Sequence, residues 1–273
     1  MRAIIPTRHV SPPASAAALQ PSGNARHLLE PLVDLAGKSD FLLAGVVGEF
    51  HAGRALLRIP RFIFLGPTGG GNTIRLGLLA AFHGDEPEGV EVLVEFLREL
   101  EREPDIARGF HLHVYPICNP GGFAANTRLN FSGVDLAEQF WRGSSQPEVY
   151  YLERELGIHH FQGVISLHTE ENATHFLARA NSSILNLAVA QPALQAANKI
   201  LPGSPRIDST DSTPSSIRHG FLTDTDELAP VPFEINLGIP RLAPKPSQIQ
   251  GSLHALKSIL DSYRATIAHR QNI

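Results

Sequence analysis

Apolar and polar positions along this chain switch repeatedly between a helical period and strand-like runs. HLLEPLVDLAGK, from residue 27, repeats its apolar positions at helical spacing, and FLLAGVVGEF, RALLRIP and RFIFLGP follow as three strand-like stretches with short polar breaks. TIRLGLLAAF, residues 73–82, is apolar and β-branched enough for a buried strand, and GVEVLVEFLRELERE after it recurs at helical spacing. Further strands are expected at HLHVYPI, around Val164 and at THFLARA. Further helices are expected near PEVYYLERELG, from Ile184 to Ile200 with Pro192 breaking or kinking it, and from about Ser247 to His269. Strands interleaved with helices predict an α/β fold. Residues 1–24, rich in Pro, Ser and Ala, read as an arm, leaving 25–273 as one domain. PGSPRIDSTDSTPSS, residues 202–216, reads as a polar loop at the mouth of a site. The glycine run GPTGGGNT lacks the GK[ST] ending of a phosphate loop and reads as a connection between strands.

Composition narrows the function classes. With 273 residues, 42% of them hydrophobic and 18% charged, the chain can bury one substantial core but not two large ones. A net charge of −4 argues against nucleic acid as a partner. No run of about 18 apolar residues occurs, so no membrane partner is expected. The start, MRAIIPTRHVSPPASAAALQ, lacks the extended apolar stretch of an export signal, and cytoplasmic residence is the expectation. Cys118 is the only cysteine and follows HLHVYPI, which predicts a buried thiol; with no GxSxG elbow either, a serine or cysteine nucleophile is missing.

The candidate chemistry lies elsewhere. His83 falls at the end of a predicted strand and Glu86 in the first turn of the following helix, where Pro87 fits and the helix dipole favours a carboxylate. Gly84 is expected to let the chain turn sharply between them. His168 ends a second buried-strand pattern, GVISLH, before the polar run TEEN. Two imidazoles and one carboxylate fill three positions of a tetrahedral Zn²⁺ and leave the fourth for water. Glu234, in VPFEINLG, and Arg128, in RLNFSGVDLAEQF, could then activate that water and hold the charge that develops on an attacked carbonyl. These residues together read as a metal-dependent amide hydrolase.

In its stretches HGDE, NPGGFAANTRLNFSGVDL, SLHTE and FEINLGIP the sequence resembles the zinc carboxypeptidase family, including its murein peptide amidase and succinylglutamate desuccinylase/aspartoacylase-like branches. The resemblance runs from residue 73 to about 240, and its most specific part is the middle motif, in which Asn119, Pro120, Gly122, Arg128, Asn130, Gly133, Val134, Asp135 and Leu136 stand in register. It implies a single-domain mixed parallel and antiparallel central sheet with helices on both faces. It further implies that His83, Glu86 and His168 bind zinc, that Glu234 is the general base, that Arg128 stabilises the oxyanion, and that Asp135 orients His83. Asn130 is expected among the substrate-binding residues.

Two departures bear on the substrate, which the resemblance implies is a small peptide or an N-acyl amino acid. Members that grip a terminal carboxylate carry Asn-Arg directly after GVDL, where this chain has Ala137 and Glu138, so an anion stands where a cation is usual. No Tyr occurs between His168 and Glu234 to cap the substrate. Arg179 and Arg218 are the candidate replacements for the missing anion anchor.

Overall fold

Strands that are apolar on both sides form the middle of a seven-stranded mixed sheet. The computed structural model describes residues 24–201, 222, 228 and 231–271. β1 (Leu42–Ala52) and β2 (Ala55–Leu65) form a hairpin through Gly53 at φ +60°. The sheet continues through β4 (Phe110–Tyr115), β3 (Ile74–Ala80), β5 (Gly163–Glu170) and β7 (Phe233–Pro240) to β6 (Leu177–Ala180), in the order β1-β2-β4-β3-β5-β7-β6. β4, β3, β5 and β7 are parallel, so their carboxyl ends share one edge, and β1, β2 and β6 run antiparallel to their neighbours. All eight residues of β7 are buried, as a parallel strand covered on both faces requires.

Alternation sorts the strand residues onto two layers. On one face Leu76, Leu78 and Ala80 of β3, Ile165 and Leu167 of β5, and Ile235, Leu237 and Ile239 of β7 pack beneath four helices. These are α1 (Asn24–Ala36), α2 (Pro87–Arg102), α5 (Gln191–Asn198) and α6 (Lys245–Gln271), which supply among others Leu32, Leu93, Leu97, Ala193 and Leu256. On the other face Leu79, Tyr115 and Val164 meet Val149, Leu152 and Leu156 of α4 (Pro147–His159), together with Phe82, Leu136 and Phe140. Each such buried Leu, Ile or Phe stabilises by about 1.5–3 kcal/mol. A short α3 (Pro120–Ala125), not expected from the sequence, follows β4.

Two sequence expectations change. RALLRIP and RFIFLGP are one strand, β2, which runs through Pro60. Pro60 lies opposite Val46, where β1 bulges before Gly48, and beyond the pairing of β2 with β4, so its missing N–H breaks no regular ladder. The helix expected from Ile184 to Ile200 is divided into a turn at Ser183–Leu185, a wide π turn at Asn186–Ala190, and α5. Pro192 cannot donate to Ala188, and the turn ahead of it opens. The expected arm lies outside the described residues apart from Asn24, and so does the loop 202–216. Among the described residues no helix is long and apolar enough to cross a membrane.

Candidate metal centre

The carboxyl ends of β3 and β5 bring His83, Glu86 and His168 together, with one ligand atom from each within 4.8 Å of the others. Ala81, just past β3, takes a left-handed φ of +51° and swings the chain towards His83. A non-glycine residue in that region costs on the order of 1–3 kcal/mol, which the surrounding packing must outweigh. The turn expected between His83 and Glu86 is present as well: Gly84 and Asp85 form it, closed by Glu86 N–H donating to the His83 carbonyl at 3.3 Å. Gly84 also serves a close approach: a Cβ there would lie 1.9 Å from the backbone of Gly122 in α3. Asn119 ties the same two segments, because its Oδ1 accepts from Gly122 N–H (2.8 Å) and its Nδ2 donates to the Phe82 carbonyl (3.1 Å).

Glu86 occupies the N-cap position of α2 without a side-chain capping bond and turns both carboxylate oxygens to other partners. Its Oε1 lies 2.7 Å from His83 Nδ1, and its Oε2 accepts from Thr169 N–H at 3.1 Å and stands 3.9 Å from His168 Nδ1. Ligands at 2.0–2.1 Å in a tetrahedron lie about 3.3 Å apart, so these separations bracket what an ion would impose. The donor set, two imidazoles and a carboxylate, fits a zinc-like divalent ion, with His83 and His168 both presenting Nδ1.

The other ring nitrogen of His83, Nε2, lies 3.1 Å from Asp135 Oδ1. Asp135 Oδ2 accepts from Arg128 Nε (3.2 Å) and Nη2 (3.0 Å), so one carboxylate holds both a ligand imidazole and the guanidinium beside it. The hydrogen bond with His83 draws the Asp135 carboxyl down to about 2. Burial disfavours a charged His83, but the hydrogen bonds to Asp135 and Glu86 outweigh it and push the imidazole up to about 9. Burial would raise Glu86, and its contacts with His83 and His168 hold it below the ordinary carboxylate value. His168, stacked at 17° on Phe82, is lowered by burial, which disfavours its charged form.

A pH dependence follows. A metal ion must displace the proton that His83 holds up to about 9, so binding releases it and affinity rises with pH. Asp135, Glu86 and His168 are all lowered, away from His83. Zinc titration of the metal-free protein between pH 6 and 8.5 is expected to give about a tenfold gain per pH unit. A flat profile would show that His83 holds no proton there.

Glu234 does not join the cluster, which corrects its expected role as the base. In the parallel pairing of β5 with β7, His168 stands beside Gly238 and Glu234 beside Val164. Four residue steps of about 3.3 Å each put the Glu234 Cα about 13 Å along the sheet from the His168 level, beyond a glutamate's reach. Glu234 is fully buried, and its Oε2 accepts from Leu222 N–H at 3.1 Å. Asn130 is corrected as well. It is buried, its Oδ1 accepts from Ser132 and Val134 N–H, and its Nδ2 donates to Gln146 Oε1, so it shapes the loop that carries Arg128 and Asp135 instead of facing a substrate. Glu138 is exposed in a single 3₁₀ turn after Asp135. Arg179 is exposed and pairs with Asn236 across β6 and β7, on the sheet face that carries His168. Arg218 lies outside the described residues. Cys118 is the buried thiol expected, pushed far up by burial.

Comparison with known proteins gives the family and the fold. The profile of the succinylglutamate desuccinylase/aspartoacylase catalytic domain matches residues 72–230, which include every residue of the cluster. The chain belongs to this family. Over 65 residues it is 37% identical to carboxypeptidase SOL1 of Arabidopsis thaliana, a match that spans 21% of this chain and 13% of that protein's length. Among solved structures, a candidate metallopeptidase from Shewanella denitrificans OS217 superposes with a TM-score of 0.65 at 16% identity, covering 87% of this chain and 89% of that one. A metallo-carboxypeptidase from Pseudomonas aeruginosa gives 0.62 at 20% identity over 89% and 70%. At those identities the likeness shows the fold, a carboxypeptidase-like mixed sheet, and the profile shows membership in a family of hydrolases.

The sequence reading missed Asn119 as a tie to the His83 segment, and it missed Ser166 and Asn236. The signal for the last two was present: they stand two residues from His168 and Glu234 respectively, polar positions of period two inside apolar strands.

Proposed function

We propose that this chain is a zinc-dependent hydrolase of amide bonds that acts on a small peptide or an N-acyl amino acid. The convergence of His83, Glu86 and His168 at the carboxyl edge of a parallel sheet, with Arg128 held beside them by Asp135, carries the reading. Zinc held by those three residues would supply a water of lowered pKa and polarise the amide carbonyl. Arg128, fixed through Nε and Nη2, has further N–H donors to offer the oxygen on which negative charge develops. Asp135, 3.1 Å from His83 Nε2, would hold the imidazole proton on that nitrogen and leave Nδ1 to bind the ion. Glu170 takes the role expected of Glu234. It follows His168 by two residues at the carboxyl end of β5, on the same face by strand alternation, and is buried. It would accept the proton of the attacking water and return it to the leaving amine.

A second reading is favoured by Gly238, which brings no carboxylate opposite His168. In it the chain binds zinc and a peptide without turnover. The deciding assay offers the metal-loaded protein N-acyl amino acids and matched peptides ending in a carboxylate, an amide or a lysine. Turnover of any of them supports hydrolysis, and Arg128→Ala should then lower kcat by about 10²–10³ with metal retained. Binding with no turnover across the whole set supports the second reading.

A further inference from the structure

Behind His168 a buried polar string runs down the sheet. His168 Nε2 lies 3.2 Å from Ser166 Oγ, and the Ser166 hydroxyl donates in turn to Asn236 Oδ1 on the neighbouring strand. Ser166 is fully buried and Asn236 nearly so, and the two pair directly in the β5–β7 register. Two polar groups facing the apolar layer of Leu79, Val164 and Leu222 are costly there unless they serve each other or a third group.

The direction of the string decides the tautomer of His168. An amide oxygen can only accept, so the Ser166 proton is committed to Asn236, and Ser166 Oγ is left to accept from His168 Nε2–H. The proton of a neutral imidazole then sits on Nε2, and the lone pair on Nδ1, the nitrogen that faces Glu86 Oε2, is free for a ligand bond. If the amide were turned to present its NH₂, the string would reverse and put the proton on Nδ1, closing the site to a metal. We infer that Ser166 and Asn236 are positioning residues that fix His168 in its metal-accepting tautomer, as Asp135 does for His83. This rests on the zinc reading above, since a histidine with no metal to bind has no need of one tautomer.

Histidine ¹⁵N–¹H correlation spectra of the metal-free full chain test the inference without any metal. His168 is expected to carry its proton on Nε2 in the native protein and to become a mixture of tautomers in Ser166→Ala. Zinc titration against a competing chromophoric chelator gives the second readout. Ser166→Ala and Asn236→Leu are expected to bind zinc about 10- to 100-fold more weakly, whereas Asn236→Asp, which keeps an acceptor towards Ser166, stays within a few-fold of native or tighter. A purely structural role would lower the melting temperature and leave both tautomer and affinity unchanged. A proton on Nδ1 of His168 in the native protein, or native affinity in Ser166→Ala, overturns the inference. Absence of zinc binding by the native chain would instead overturn the functional reading, and the tautomer spectrum still reports on the string.

Discussion

Alanine at His83 is expected to strip the protein of its metal. Native protein purified without chelator should carry close to one equivalent of zinc by elemental analysis, and the variant close to none. Zinc sites are worth roughly 10–16 kcal/mol at neutral pH, so losing one of three protein ligands removes several kcal/mol, on the order of a thousandfold or more in affinity. The loss at His83 is compounded because two carboxylates depend on it: Glu86 Oε1 at 2.7 Å and Asp135 Oδ1 at 3.1 Å both lose their imidazole partner. His168 and Glu86, 3.9 Å apart, would remain as a two-ligand remnant. Equal metal content in native and variant protein would remove His83 from the site and with it the proposed chemistry.

Much of this centre could be read from residue order because its strongest elements are local. His83 and Glu86 are separated by one turn between a strand and a helix, and the loop from Asn119 to Asp135 is one continuous motif, so short-range geometry nearly suffices to place them. The buried strands were visible for a similar reason, since β3, β5 and β7 are covered on both faces and appear as unbroken apolar runs. Register was not visible. Alternation tells which face a residue of β7 occupies, and it correctly groups Glu234, Asn236 and Gly238, but it cannot say which of the three stands beside His168. A shift of four residues keeps every side chain on its face and moves Glu234 from the His83, Glu86 and His168 cluster to the interior. Ala81 escaped notice on other grounds, because alanine carries no sign of a left-handed backbone, whereas the turn at Gly84 was signalled by its glycine.

Glutamine at Glu170 is expected to lower kcat by about 10²–10⁴ and leave bound metal unchanged, the usual loss when a positioned acid–base group is removed. The same change at Glu234 should leave kcat within about threefold. The contrast rests on the strand register. Glu170 lies one alternation beyond His168, towards the open edge where the parallel strands end and where ligands of such sheets gather. Glu234 lies two alternations short of the position opposite His168, enclosed with Val164 and Leu222 and held by the Leu222 amide. Its glutamine variant should therefore register in stability. A hydrogen bond from a backbone amide to a buried carboxylate is worth about 1.5–3 kcal/mol, and weakening it should lower the melting temperature by several degrees. Steady-state rates on a cleaved substrate, taken with metal content and thermal melts for both variants, separate the two residues. Collapse of kcat in Glu234→Gln with metal and melting temperature retained would place that carboxylate in the reaction and remove Glu170 from it.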